Sequence, residues 1–214
     1  MKIVEQLSDI VNHIYLWYDF YTTSKEGHHS MNEQIKVINE RYSCRAFEST
    51  PLTEEQIKTI VDATLISPSG MNLQPWHITV VTDKAFLEEL DADGVSILAA
   101  MEDKKRYERV MSHGGKMLYN APCLMVITND GSKWAAIDSG ILCQTIALTA
   151  CSIGLGSCIF GLGAVPLLGP RGEEFKKRLK IPEGYEFAIG VLIGTAKMGK
   201  SDHVHDMNKV TYIK

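Results

Sequence analysis

The stretch Asp138 to Ile153, DSGILCQTIALTACSI, decides the fold, because apolar side chains occupy every side of the helix it would form. A surface helix keeps a polar face; this pattern instead predicts a helix buried at the centre of a core, too short for a membrane and ended by Gly154. Strand-like runs precede it at His77 to Thr82 (HITVVT) and, behind the Pro122 breaker, at Cys123 to Thr128 (CLMVIT), and Phe187 to Ile193 follows it. Helical patterns lie between them. Thr53 and Gln56 form a capping box ahead of Ile57, Ile60, Val61 and Leu65, in a helix that stops at Pro68. Asp83 to Leu90 and Val95 to Met117 read as two helices, the second with a weak point at Gly114-Gly115, and Glu173 to Leu179 as a short one. Leu155 to Val165 alternates glycine with apolar residues. Strands interleaved with helices around one buried helix predict an α+β protein, a sheet flanked by helices.

The chain has 214 residues, 45% hydrophobic and 22% charged, enough for one sizeable core. Its net charge is -4 and its basic residues are scattered, which argues against a nucleic-acid surface and for small molecules or other subunits as partners. The cysteines Cys44, Cys123, Cys143, Cys151 and Cys158 contain no C-x-x-C pair and fit a reduced, cytoplasmic protein. Ile3, Leu7, Ile10, Ile14 and Trp17 recur at helical spacing, but Glu5, Asp9 and Asp19 interrupt any signal-peptide core or membrane span. Residues 1–30 are therefore expected to be a helical extension and a polar linker, native or an expression artefact. Met31, opening a short helix with Ile35 and Ile38, is the expected start of the functional domain, 31–214.

Several chemistries find no support. Gly156 and Gly161 have the interval of a phosphate-binding P-loop, but Leu162 stands where its lysine must be, and no G-x-G-x-x-G joins a strand to a helix. His203 and His205 would share a face on an extended chain, yet no second ligand cluster accompanies them, so no metal site is assigned. No G-x-S-x-G or cysteine-nucleophile signature occurs.

Two segments remain. Arg41, Ser43 and Arg45 alternate in RYSCRAF, and extended backbone points all three one way, a face able to clamp a phosphate or to be a surface charge cluster. Pro68 to Trp76 (PSGMNLQPW) sets Ser69, Asn72 and Gln74 between prolines, offering amide donors and carbonyl acceptors of the kind a flavin's pyrimidine edge requires.

With Tyr119-Asn120-Ala121-Pro122 stepping into a strand, and Asp138-x-Gly140-x-x-x-Gln144 leading to Gly154-Leu155-Gly156-Ser157, these segments stand in an order that resembles the nitroreductase family of FMN enzymes, from about Asn32 to Lys214. The resemblance implies a nitroreductase-like sheet flanked by helices in an intertwined homodimer. It implies FMN as cofactor, with Arg41, Ser43 and Arg45 at the phosphate and ribityl chain, and Pro68, Ser69, Asn72 and Gln74 facing the isoalloxazine, partly from the other subunit. Backbone at Ile159, Phe160 and Gly161 would lie near flavin N5, and Lys200 and His203 are the candidates to complete the phosphate site. Tyr42 stands where a second arginine is often found, and Gly199-Lys-Ser-Asp-His departs from the more basic family form. The chemistry would belong to the flavin: NAD(P)H delivers a hydride to N5, leaves, and a nitroaromatic, quinone or flavin acceptor takes its place, with no catalytic side chain. Flavin fragmentation, reductive dehalogenation and a non-catalytic flavin-binding role are the rival expectations. Residues 93–117, with Met101, Tyr107 and Met111, are either a lid over the pocket or ordinary core packing.

Overall fold

The computed structural model describes residues 32–214, so the helix expected over residues 1–22 lies outside the described residues. A short helix α1 (Glu33–Glu40) leads into an extended segment and then α2 (Glu54–Leu65). The capping box is present: the Thr53 hydroxyl accepts from the Gln56 amide at 3.1 Å, and the Gln56 side chain accepts from the Thr53 amide at 2.9 Å. Strand β1 (Trp76–Val81) follows, then helices α3 (Lys84–Ala100) and α4 (Lys105–Ser112), strand β2 (Cys123–Asn129) and the long helix α5 (Ala135–Ser152). Strand β3 (Gly156–Phe160), the short helices α6 (Ala164–Leu167) and α7 (Gly172–Arg178), and strand β4 (Glu186–Gly194) complete the core.

The strands form an antiparallel sheet in the order β1-β2-β4-β3, with a bulge between Ile127 and Thr128. Its central strand shows why the sequence there reads as an unbroken apolar run. Leu124 and Val126 join one cluster with Leu90, Leu98, Val110 and Phe175, while Cys123, Met125 and Ile127 join another with Ile60, Leu142, Ile146 and Ala150. Successive side chains of a strand point to opposite faces, so a sheet covered on both faces must be apolar at every position. Helices α3, α4, α6 and α7 thus cover one face, and α2 with α5 the other. Each large side chain buried in these layers contributes about 1.5–3 kcal/mol. Burial also pushes the Cys123 and Cys143 thiols up to about 12, so both sit in the core as neutral groups.

Several local expectations are corrected or completed. The predicted break between residues 90 and 95 is absent, and α3 runs through it, with the end of the Met117 side chain packed over Gly94. The helix predicted over 95–117 instead ends at Ala100, where Met101 is extended (ψ 147°), and restarts at Lys105. The glycine-apolar stretch after Gly154 contains strand β3, paired along its length with β4. Finally, α5 is long and apolar enough, by length and composition, to cross a membrane, so length alone was no ground for excluding a span. What marks α5 as a core helix is its packing: Leu142, Cys143, Ile146, Ala147 and Ala150 are buried against the sheet.

Candidate functional site

The arginine-serine segment is extended, as its alternation predicts, and is strapped onto the sheet. The Cys44 amide donates to the Ser157 carbonyl at 2.9 Å, Ser43 bridges Ser157 in parallel, and Phe47 bridges Ala196. Cys44 and Phe47 point into the core, leaving Arg41, Ser43 and Arg45 half-buried at its margin. Gly156 permits this close approach, because a Cβ there would lie 3.1 Å from Cys44 Cβ and 3.0 Å from Ala196 Cβ. Tyr42 has its own tether, its hydroxyl donating to the Met198 carbonyl, and burial leads the causes that raise its phenol above the ordinary value.

Beside this strap opens a cavity of about 640 Å³. Arg45 lines it together with Ile159, Phe160 and Gly161, so the structure brings these four predicted residues to one place. Gly161 faces open space, with no heavy atom within 4 Å of where its Cβ would be. The apolar part of the wall includes Ile97, Met101, Val165 and Leu168, and Cys158 and Tyr119 reach it from the core side. Tyr119 has a left-handed backbone (φ 53°), and its carbonyl accepts from the Phe47 amide at 3.1 Å. Its ring meets Phe160 edge to face at 6.4 Å. Burial, then the Cys158 thiol, raises the Tyr119 phenol, against the lowering pull of the Arg45 and Arg109 guanidiniums.

The other predicted residues lie off this cavity within one chain. Pro68, Asn72 and Gln74 are exposed, in a loop with left-handed backbone at Met71 (φ 52°), Asn72 (φ 56°) and Gln74 (φ 49°). That loop is held from below: the buried Asp138 carboxylate accepts from the Gly70 amide at 3.2 Å, Ser67 Oγ donates to Thr145 Oγ1 at 2.9 Å, and Ser69 Oγ accepts from the Gln74 amide at 3.0 Å. The Gln74 side-chain Nε2 donates to Asn72 Oδ1 at 3.0 Å. Lys200 Nζ donates to the Asn39 carbonyl at the C-terminal end of α1, where the helix dipole favours a cation. Burial leads the causes that raise the Cys151 and Cys158 thiols; Arg41 and Lys200 oppose it at Cys151, and Arg45, Arg109 and Arg41 oppose it at Cys158. His203 is exposed, its ring meeting that of His205 edge to face at 5.3 Å.

Sequence reasoning missed Arg106, Arg109 and Cys158 as lining residues. The signal for the arginines was available in their three-residue spacing on a predicted helix, which sets two side chains on one face. Of the residues proposed for a lid, Met101 lines the cavity, Tyr107 packs against the core and Met111 lies beside Gly115.

A family model described as the nitroreductase family matches residues 38–195. Among solved structures, the chain is 45% identical to a nitroreductase with bound FMN from Desulfitobacterium hafniense DCB-2, covering 86% of this chain and 100% of that one, with a TM-score of 0.83. It is 26% identical to a nitroreductase with bound FMN from Bacteroides fragilis NCTC 9343, covering 86% of this chain and 100% of that one, with a TM-score of 0.78. A putative NADH dehydrogenase/NAD(P)H nitroreductase of Archaeoglobus fulgidus is 29% identical over 82% of this chain and 92% of its own length.

Proposed function

Because the chain belongs to the nitroreductase family, we propose that it is an FMN-dependent oxidoreductase that takes a hydride from NAD(P)H and delivers electrons to a nitroaromatic, quinone or flavin acceptor. The donor and the acceptor use one pocket in turn. The observation that carries this reading is the 640 Å³ cavity, where the Arg45 guanidinium, an apolar wall and the open face of Gly161 meet.

That lining fits FMN. A flat ring can press on backbone at Gly161, where a side chain would obstruct it, and Ile97, Met101 and Leu168 give the ring an apolar wall. Arg41, Ser43 and Arg45 offer two guanidiniums and a hydroxyl to the phosphate, with Lys200 tethered to the Asn39 carbonyl two residues before Arg41 and His203 further along the same segment. Bound there, FMN supplies the hydride and electron transfer. The residues of the chain supply position, positive charge and exclusion of water.

Pro68, Ser69, Asn72 and Gln74 enter the reading through a second copy of the chain. We assign their loop to the cavity of a partner subunit in a homodimer, with the Asp138 and Thr145 contacts holding it in shape. Support comes from apolar surface that one chain leaves uncovered: Trp134 and Ile137 at the start of α5, and Val204, Tyr212 and Ile213 near the C-terminus, are all exposed. Residues 31–214 form the flavin-binding domain in this reading, and residues 1–30 precede it as extension and linker. Five unpaired cysteines agree with a reduced, cytoplasmic setting.

Anaerobic mixing of the flavin-loaded protein with NADH or NADPH tests the function, with absorbance at about 450 nm expected to bleach fully. A protein unable to take up FMN overturns the cofactor assignment, and a yellow protein that neither donor bleaches overturns the enzymatic one. Arg45→Ala is expected to weaken FMN binding by roughly 10–100-fold, the worth of a charge-assisted hydrogen bond, while turnover at saturating FMN changes far less. Fluorescence titration of the apoprotein reads this, and unchanged affinity removes Arg45 from the phosphate site.

A further inference from the structure

The chain contains six arginines, and their placement is uneven. Arg171 and Arg178 are committed to ion pairs with Glu89 and Glu174 on the far helices. Arg41, Arg45, Arg106 and Arg109 form no ion pair with a described carboxylate. Three of those four, Arg45, Arg106 and Arg109, line the single 640 Å³ cavity, and no aspartate or glutamate lines it with them. A chain of net charge -4 has therefore gathered around one apolar hollow three guanidiniums that form no ion pair with a described carboxylate.

The three come from structurally different places. Arg45 belongs to the segment strapped to β3 and is held by the sheet. Arg106 and Arg109 share one face of α4, an eight-residue helix set off from α3 by the extended Met101 and anchored by the fully buried Val110 and the half-buried Tyr107. Neighbouring acids do not claim them: Glu102 and Asp103 lie one turn ahead of Arg106, and Glu108 lies beside Arg109, without an ion pair to either. A fixed arginine suits a resident phosphate, whereas a pair on a lightly anchored helix suits a ligand that comes and goes.

We propose that Arg106 and Arg109 select anionic co-substrates, so that the pocket prefers a planar aromatic reactant carrying a carboxylate or phosphate over its neutral counterpart. The proposal rests on the flavin-oxidoreductase reading of this cavity and names what that cavity prefers to admit. Two guanidiniums facing an apolar wall give such a reactant a place for its ring and a forked donor for its charge. The anion can be the carboxylate of the electron acceptor or the 2′-phosphate that distinguishes NADPH from NADH.

The test compares wild type with Arg106→Gln/Arg109→Gln, both loaded with FMN, in three measurements. With NADH as donor, kcat/KM for 4-nitrobenzoate is divided by that for 4-nitrobenzamide, which matches it in shape but is neutral. With 4-nitrobenzamide as acceptor, kcat/KM for NADPH is divided by that for NADH. Calorimetry of the oxidised proteins then compares benzoate with benzamide, a binding readout independent of turnover. The proposal expects one of the two kinetic ratios to fall about tenfold or more in the double variant, equivalent to about 1.4 kcal/mol. A fall in the first ratio identifies the acceptor's carboxylate as the anion and should be accompanied by loss of the benzoate preference; a fall in the second identifies the 2′-phosphate. If both ratios stay within twofold of wild type, the proposal is overturned. It is also overturned if the double variant purifies without flavin, because the two arginines then belong to the cofactor's own phosphate grip. Failure of the underlying reading looks different: wild type itself would take up no FMN, or would not be bleached by either nucleotide.

Discussion

Ile137→Glu is expected to turn a flavin-binding dimer into a monomer that keeps its fold and loses its flavin. Ile137 is 58% exposed on α5, directly after the turn that carries Trp134 and one residue before Asp138, the carboxylate that holds the Pro68–Gln74 loop. Along the same outer side lie the half-buried Ile141 and Leu148, so one chain leaves an apolar stripe on its central helix facing outward. In a two-fold dimer one substitution acts twice, removing two apolar contacts and burying two charges. At about 2 kcal/mol for each copy, the total weakens dimerisation roughly a thousandfold. Folding of the single chain should survive, because the substituted side chain points away from the sheet. Light scattering should report the 23.8 kDa of one chain where wild type reports twice that, and the purified variant should be colourless. A monomeric yellow wild type contradicts the shared-site reading, and a dimeric, fully loaded variant moves the interface off α5.

The second large effect is at Asp91, a carboxylate buried under α3. It accepts from the Leu118 amide at 2.6 Å, and Lys116 Nζ stands 3.6 Å away. These contacts fix the turn that forces Tyr119 and Asn120 into left-handed backbone and presents the Tyr119 carbonyl to Phe47. Asp91→Ala leaves the Leu118 amide buried without an acceptor and should destabilise the protein by about 2–4 kcal/mol, loosening the cavity wall at Tyr119 as it does so. Asp91→Asn keeps an acceptor and removes the charge. Burial holds the Asp91 carboxyl above its ordinary value, against the lowering effects of the Leu118 amide and Lys116. The folded state therefore favours the protonated acid: its contribution is complete below the unfolded carboxylate value of about 3.9 and is lost as pH rises through the elevated folded one. Urea midpoints between pH 4 and 7 should show wild type losing stability relative to Asp91→Asn as pH increases. Parallel curves would show that Asp91 carries no such linkage.

The helix expected over 138–153 and the capping box at Thr53 were legible because each rests on a local rule: all-round apolarity for the first, a three-residue hydrogen-bond geometry for the second. The sheet's central strands were legible for a similar reason, since Cys123 to Thr128 is too uniformly apolar to be anything but covered on both faces. Strand β3 was hidden by Gly156, which is small to admit Cys44 and Ala196 and so removes the β-branched signature of a strand. The continuity of α3 through residues 91–94 was missed, and Gly94 within it faces the core. Within the site, Arg45, Ile159, Phe160 and Gly161 line one cavity; no pattern in the sequence joined them, only the family resemblance. The three-residue spacing of Arg106 and Arg109 put them on one helix face, but that this face meets the cavity depends on the packing of Val110 and Tyr107 among residues far away in sequence, which no local pattern shows.

The extended residue between α3 and α4 has a consequence for how such a chain can diversify. Helix α4 meets the core mainly through Val110 and Tyr107 and otherwise presents its side chains to the cavity and to solvent. Substitutions at its remaining positions escape the packing constraints that hold α5 and β2 nearly fixed, so mutational drift can retune which molecules are accepted while the sheet beneath is inherited unchanged.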